Sequence, residues 1–306
     1  MRLYVWRGAT HNIGDELNAL LWPHLLPGLL RDGVVDDAAG DLFLGIGSVL
    51  DARHQATRRK IVAGAGFGGY ESPASLDRSW EIYWVRGPRT AGQLGLPARF
   101  GIGDPASLLP LVRPWIGRGG DAIGFMPHFE SLARGAWPDA ATAAGVTLID
   151  PRDPPAMILA QMAGCRLLLS EALHGVVVAD AMRIPWVALA PVAPIHRAKW
   201  LDWSDGLNLT IRFQTLPASS RRERIEVAYV PARRALRATV ACVGMLAGRL
   251  DRRLTQLDRA VAALRRAAVA TPQLSNASRL AAAQVHMLDR LHTLRAARAG
   301  AVWDGI

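Results

Sequence analysis

The chain has 306 residues, half of them apolar. That is enough for one large or two moderate domains with true cores, and it excludes a disordered or low-complexity protein. Two cysteines, Cys165 and Cys242, cannot build a disulfide framework and read as reduced cytosolic thiols. The net charge is +10, but thirteen arginines against four aspartates fall within 231–306, so the basic character belongs to that stretch and the remainder is nearly balanced.

The opening residues Met1-Arg2-Leu3-Tyr4-Val5-Trp6 lack the apolar run of a signal peptide. Arg166 interrupts the apolar stretch 156–169, and Asp180 and Arg183 interrupt 174–195, so neither reads as a membrane span. A soluble, cytoplasmic protein is the expectation.

Strands are expected at 2–7, 41–46, 60–65, 80–85, 98–102, 121–126, 146–149, 166–170, 185–190 and 207–213. Stretches with helical spacing, such as 15–30 and 154–164, lie between many of them. Strand–helix alternation implies an α/β fold with parallel sheets covered on both faces. Ten strands are many for one sheet. Two doubly wound domains are therefore expected, 1–115 and 116–225, joined near Arg113-Pro114-Trp115-Ile116-Gly117 and facing a cleft. Ligands in such sheets sit beyond the carboxyl ends of the strands.

The stretch 226–306 carries no strand signal. Leu236, Val240, Val243, Ala247, Leu250, Leu254, Leu257, Val261 and Leu264 recur at steps of three and four, with arginines on the other face. Thr271-Pro272 breaks this helix, and a second runs from Ser275 to Arg298. Such an extension either lies on an anionic membrane surface through 231–298 or packs on the body or on a second subunit.

Unusual residues gather at the expected strand ends. His11-Asn12-Ile13-Gly14-Asp15 opens a helix, where Gly14 permits close backbone approach, and Asn12 and Asp15 either cap the helix or meet a ligand. Gly45-Ile46-Gly47-Ser48 makes a tight turn. Gly64-Ala65-Gly66-Phe67-Gly68-Gly69 fits the dinucleotide fingerprint in letters, but the next strand follows by residue 80, leaving no room for the long helix the fingerprint must open. Arg86 and Arg89 stand at a strand end before a short helix, with the planar fork that suits carboxylate or phosphate. Asp104, before Pro105, caps the next helix or faces the cleft. His128 follows the first strand of the second half and either caps or reaches a ligand.

The strongest of these sites is Ser170-Glu171-Ala172-Leu173-His174-Gly175. An apolar strand ends there and a helix begins, and His174 beside Glu171 is a candidate general acid/base. After the next strand, Lys199 adds a cation, while Trp200 and Trp203 either stack on a sugar or pack in the core. No zinc-ligand cluster, phosphate-binding loop, nucleophile elbow or nucleic-acid motif is present, so neither a resident metal nor a nucleic-acid partner is expected.

The order and spacing of Asn12-x-Gly14-Asp15, Gly47-Ser48, Gly64-x-Gly66, Val85-Arg86-x-x-x-Thr90, Gly103-Asp104-Pro105-Ala106 and Ser170-x-x-Leu173-His174-Gly175 resemble the polysaccharide pyruvyl transferase family over about 1–205. The resemblance implies two Rossmann-like domains in a GT-B-like arrangement, the first on the acceptor side and the second on the donor side. It implies phosphoenolpyruvate as donor substrate with no further cofactor, and a sugar, often on a lipid-linked oligosaccharide, as acceptor. His174 would then be the acid/base, assisted by Glu171 or Asp15. Arg86 and Lys199, with Arg89, would hold donor anions, and Asn12 and Asp15 the acceptor. Gly14, Ser48, Asp104, His128, Ser170, Leu173 and Gly175 complete the substrate-binding set. Ala172 departs from the family's Arg-Leu-His pattern. A nucleotide-sugar glycosyltransferase and a non-catalytic assembly scaffold at the membrane's inner face are the competing readings.

Overall fold

The computed structural model describes residues 1–6, 8, 10–30, 40–54, 58–112, 119–233 and 253–299. The expected joint at 113–117 and the stripe residues Leu236 to Leu250 lie outside the described residues.

Two parallel sheets organise the chain. The first holds β1 (Arg2–Leu3), β2 (Leu42–Leu44), β3 (Lys60–Ala63) and β4 (Trp80–Trp84) in the order β1-β2-β3-β4. The second holds β5 (Ala122–Met126), β6 (Thr147–Leu148), β7 (Cys165–Ser170), β8 (Trp186–Leu189) and β9 (Phe213–Gln214) in the order β6-β5-β7-β8-β9. Every pairing is parallel. Runs such as Leu42-Phe43-Leu44 and Leu167-Leu168-Leu169 are buried throughout, as strands covered on both faces require. The α/β expectation holds: helices connect β1 to β2 and consecutive strands of the second sheet, whereas among the described residues loops alone join β2 to β3 and β3 to β4.

Two expected strands differ. At 98–102 the chain forms a 3₁₀ turn over Ala98–Phe100, and Gly101 makes one isolated bridge to Val85. A Cβ at Gly101 would lie 2.4 Å from backbone atoms of Gly87 and Pro88, so the chains approach too closely here for an ordinary strand. At 207–213 the first residues close a helix, Asn208 has φ +50, and only Phe213 and Gln214 pair with β8.

Helix α1 (Ile13–Leu25) is capped by Asn12, whose side chain accepts from the Asp15 N–H. The short helices α2 (Pro88–Gln93) and α3 (Leu109–Val112) follow β4. The second half adds α4 (Phe129–Arg134), α5 (Trp137–Ala144), α6 (Pro155–Ala163), α7 (Leu173–Ala181) and α8 (Arg197–Gly206). The largest apolar cluster belongs to neither sheet alone, because it joins Leu17, Leu21 and Leu108 to Ile158, Met162, Leu173 and Val177.

The C-terminal stretch contributes α9 (Arg221–Arg233), α10 (Arg253–Ala268) and α11 (Ala277–Ala299). The apolar faces of α10 and α11 are used inside the protein. Val261 and Leu264 of α10 pack with Trp137 and Leu169 around the second sheet. Leu280, Met287, Leu291 and Leu294 of α11 join the large cluster, and Arg298 pairs with Asp41 and Glu81 at 2.7 Å each. Between them, Gln273 bridges to Trp186, and buried Asp180 accepts from the Ser275 N–H at 2.7 Å. No helix among the described residues is long and apolar enough to cross a membrane.

Met287 is fully buried, whereas Val285 on the same helix is 54% exposed. Met287→Ala should therefore lower stability by about 2–4 kcal/mol in urea denaturation, and Val285→Ala by less than about 0.5 kcal/mol.

Candidate active site

In the second sheet β5 has β6 on one side and β7 on the other, so the direction of winding reverses between β5 and β7. A crevice opens beyond the carboxyl ends of strands at such a point. Here those ends are Met126-Pro127-His128 and Ser170-Glu171-Ala172. A cavity of about 270 Å³ occupies the crevice, closed from the other side by the start of α1, the turn after β2 and Tyr70.

His174 stands in the first turn of α7. Its Nε2 is buried and lies 3.4 Å from Asp104 Oδ2, a charge contact longer than a normal hydrogen bond. Its Nδ1 faces Gly14, where a Cβ would come within 2.1 Å. Only glycine lets the imidazole rest on the backbone of α1. Asp104 accepts from the Ala106 N–H at 3.0 Å, so it caps its turn and also faces the histidine. Burial pushes the Asp104 carboxyl up, but His174 and that N–H hold it below its ordinary value. Asp104 is buried and lies behind His174, outside the cavity lining.

Asp15 lines the cavity beside His174. Burial raises its carboxyl, opposed by a short hydrogen bond from Asn12 and by the charges of His174 and Lys199. Asn18, unnoticed in the sequence, fixes this corner. Its amide donates to Ile46 O at 2.9 Å and its oxygen accepts from the Ile46 N–H at 2.8 Å, locking α1 to the turn that presents Gly47 and Ser48.

Lys199 of α8 also lines the cavity, and among the described residues it has no hydrogen-bond or ion-pair partner. Burial and the nearby Arg86 lower its ammonium to about 8. A cation that makes no direct ion pair, with Asp15 and Glu130 acting on it from farther off, can receive an anionic ligand.

Next to it, His128 stacks on His196 with ring centroids 4.1 Å apart. Burial lowers both imidazoles, most strongly His128, so both are neutral near pH 7. His196 Nε2 is 3.1 Å from Glu130, and its Nδ1 is 2.9 Å from the Tyr70 hydroxyl. Burial works against ionised Glu130, but His196, Arg134 and Lys199 bring its carboxyl down to about 2. Trp6 and Arg53 complete the rim, Arg53 held by Asp51 at 2.6 Å.

Of the residues expected from sequence, Asn12, Gly14, Asp15, Ser48, His128, Leu173, His174 and Lys199 line the cavity. Others are placed elsewhere. Arg86 is buried behind the wall, where Nε donates to Asp202 at 2.9 Å, Nη1 to Ser48 at 2.9 Å and Nη2 to Phe67 O at 2.9 Å. Each of its three nitrogens donates to a group within the protein, and it ties β4 to α8. Arg89 pairs on the surface with Asp205 at 2.6 Å. Glu171 is buried and accepts from the His128 N–H, the Val192 N–H and the Ser131 hydroxyl, fixing the turns around the crevice. Burial raises its carboxyl to about 7, against those three hydrogen bonds. Ser170 folds back on Ala172, accepting from its N–H at 3.1 Å, and Gly175 packs on the Ser170 hydroxyl. Trp200 and Trp203 are core residues, packed on Phe213 and Trp186, and the sugar-stacking alternative falls away. The glycine-rich segment after β3 opens no helix, and Gly66 packs on the Arg86 guanidinium.

A buried carboxylate behind a histidine, a lysine without a direct ion pair and neutral imidazoles share one crevice, groups able to do acid/base chemistry and to hold an anion. Residues 12–191 match the family model of polysaccharide pyruvyl transferases. The chain is also 36% identical over 226 residues to the succinoglycan biosynthesis protein ExoV of Rhizobium meliloti (strain 1021), covering 73% of this chain and 70% of the relative. The chain belongs to the polysaccharide pyruvyl transferase family and is a transferase of that class.

Two outcomes follow from the buried cations. The folded protein holds Lys199 at about 8 against an ordinary 10.5, so its charge costs stability at pH 7, and stability rises with pH between those values. Lys199→Met should raise stability at pH 7 by about 1–2 kcal/mol in denaturant titration and abolish the thermal stabilisation given by inorganic phosphate. Arg86→Met strands Asp202 in the interior and should cost about 3–5 kcal/mol in the same titration.

Proposed function

We propose that the protein transfers a pyruvyl group from phosphoenolpyruvate to a sugar of a lipid-linked exopolysaccharide repeat unit, closing a cyclic ketal and releasing phosphate. The family membership supports the pyruvyl transfer, and the relative's part in succinoglycan biosynthesis supports a polysaccharide setting. The observation that carries the donor is Lys199, a cation without a direct ion pair in the same cavity as His174.

In this reading the arrangement is GT-B-like. Residues 1–115 supply the acceptor side through Asn12, Asp15 and Ser48, and 116–225 supply the donor side through His128, Leu173 and Lys199. Ala172 forms the wall where the family pattern has arginine, and Lys199 is the cation left for the donor. Asp104 assists His174 from behind, Asp15 faces the same cavity, and Glu171 is engaged inside the fold.

His174 gives a proton to C3 of phosphoenolpyruvate, and the double-bond electrons form the new C–H bond. C2 becomes oxocarbenium-like, and a sugar hydroxyl adds there. The C2–O bond to phosphate breaks with its electron pair, and a second hydroxyl of the same sugar closes the ketal; one hydroxyl proton returns to His174 and the other ends on the departing phosphate. Asp104, 3.4 Å behind the ring, stabilises positive charge on His174 whenever it carries the extra proton. With the apolar faces of α10 and α11 packed inward, the extension meets an anionic membrane surface through its arginines.

The test is phosphate release from phosphoenolpyruvate with and without a lipid-linked oligosaccharide extract, with mass spectrometry of the product. Acceptor-dependent release and a ketal-modified oligosaccharide are expected. His174→Ala should lower the rate by roughly 10²–10⁴-fold with the fold intact by circular dichroism. Near-normal turnover in that variant removes His174 from the chemistry.

A further inference from the structure

Ketal formation takes a proton from each of two hydroxyls. Of these two protons, one ends on C3 and one on the departing phosphate. The pair His174–Asp104 serves the first transfer, and the second needs a group of its own.

We propose that Tyr70, His196 and Glu130 form a second proton-transfer chain on the same cavity, which takes one acceptor hydroxyl proton and returns it to the leaving phosphate. This rests on the pyruvyl-transfer reading above. All three residues line the cavity. Tyr70 comes from the segment after β3, and the other two come from the second half, so the chain forms only when the crevice is assembled.

The proton positions follow from Glu130. Its carboxyl is ionised and accepts only, so His196 Nε2, 3.1 Å away, carries a hydrogen. Nδ1 of the neutral ring is then the acceptor, and the Tyr70 hydroxyl at 2.9 Å donates to it. Burial, with Glu130 adding to it, pushes the phenol up to about 12, so a free phenolate is disfavoured. Tyr70 acts as a relay. It accepts the sugar proton on oxygen while its own hydrogen passes to Nδ1, and the sugar oxygen uses the freed pair to bond C2. His196 becomes an imidazolium on ionised Glu130. The reverse passage delivers the proton to a phosphate oxygen as the C2–O bond breaks.

The surroundings keep that charge transient. Lys199 and Arg134 oppose protonation of His196, and only Glu130 favours it. Neutral His128 covers one face of the ring. Asp15 and Arg86 act on the Tyr70 phenol with opposite sign. The same histidines and Glu130 have ligand atoms within 4.8 Å of one another, a spacing a divalent cation also accepts. The two neighbouring cations and the stacked rings weigh against that use.

The experiment compares the full chain with Tyr70→Phe, His196→Gln and Glu130→Gln, using phosphoenolpyruvate and the lipid-linked oligosaccharide extract. Tyr70→Phe removes one oxygen and should lower ketal formation by roughly 10²-fold or more, while the thermal shift given by phosphoenolpyruvate is retained. In the wild type the rate should fall as acid protonates His196, at a pH below the ordinary imidazole value, and Glu130→Gln should move that limb. Nitrogen-15 NMR of His196 should show a neutral ring with hydrogen on Nε2. An unchanged rate and pH profile in Tyr70→Phe, hydrogen on Nδ1, or loss to a chelator with recovery on added zinc overturns the relay alone. A wild-type protein that releases no phosphate from phosphoenolpyruvate overturns the pyruvyl-transfer reading and the relay with it.

Discussion

The buried pair Arg86–Asp202 holds the site together. Asp202 accepts from the Arg86 Nε, the Thr90 N–H and the Thr90 hydroxyl, at 2.9, 2.8 and 2.6 Å. Nη1 and Nη2 of Arg86 donate to Ser48 and Phe67. These bonds dock α8 onto the end of β4 and onto the turn after β2. Lys199 lies one helical turn before Asp202 and is thereby aimed into the crevice beside Asp15. A buried pair of this kind is weak evidence for net stability, because desolvation offsets much of the attraction. Its worth here is directional. A planar fork with three fixed acceptors sets one relative placement of two chain segments, and apolar packing alone is not directional.

The crevice accumulates polar groups that the core would otherwise exclude. Each is held in a defined protonation state by its neighbours. Asp104 and Glu130 are kept ionised by partners, while His128 and His196 are kept neutral by burial. Lys199 is left as a cation without a direct ion pair. Such a site costs stability in the empty protein, and in the proposed function the charge of the donor offsets that cost.

The sequence pattern was legible where one physical signal dominated. Nearly continuous apolar runs flanked by turns located eight of the ten expected strands. The residues at their carboxyl ends supplied most of the cavity lining, because parallel α/β sheets bind ligands there. His174, Asp15 and Lys199 were reachable by that rule. The pattern failed where packing overrode it. Residues 98–102 have strand-like residues, yet the close approach of Gly87 at Gly101 leaves a 3₁₀ turn and one bridge. Arg86 has the residue type and place of an anion binder, but its partner Asp202 lies 116 residues away and carries no local signal. Glu171 lies three residues before His174 in sequence, yet it is turned to the inside of the fold, where it accepts from His128, Ser131 and Val192. Tyr70 sat within a glycine-rich segment set aside as a false cofactor motif, and its place opposite His196 depends on contacts across the two halves.

By itself the sequence determined the fold class, the family pattern and the strand ends where chemistry would lie. Those follow from hydrophobic periodicity and turn residues, which act over a few positions along the chain. Tertiary structure decided which polar groups face ligand and which hold the frame. It made Asp104 the partner of His174, turned Arg86 into a clamp, left Lys199 without a direct ion pair and packed the basic C-terminal helices onto both sheets. The physical reason is that charge and hydrogen-bond partners are chosen by distance in space. Residues 70, 130 and 196 share no local pattern, and folding alone brings them to one cavity wall.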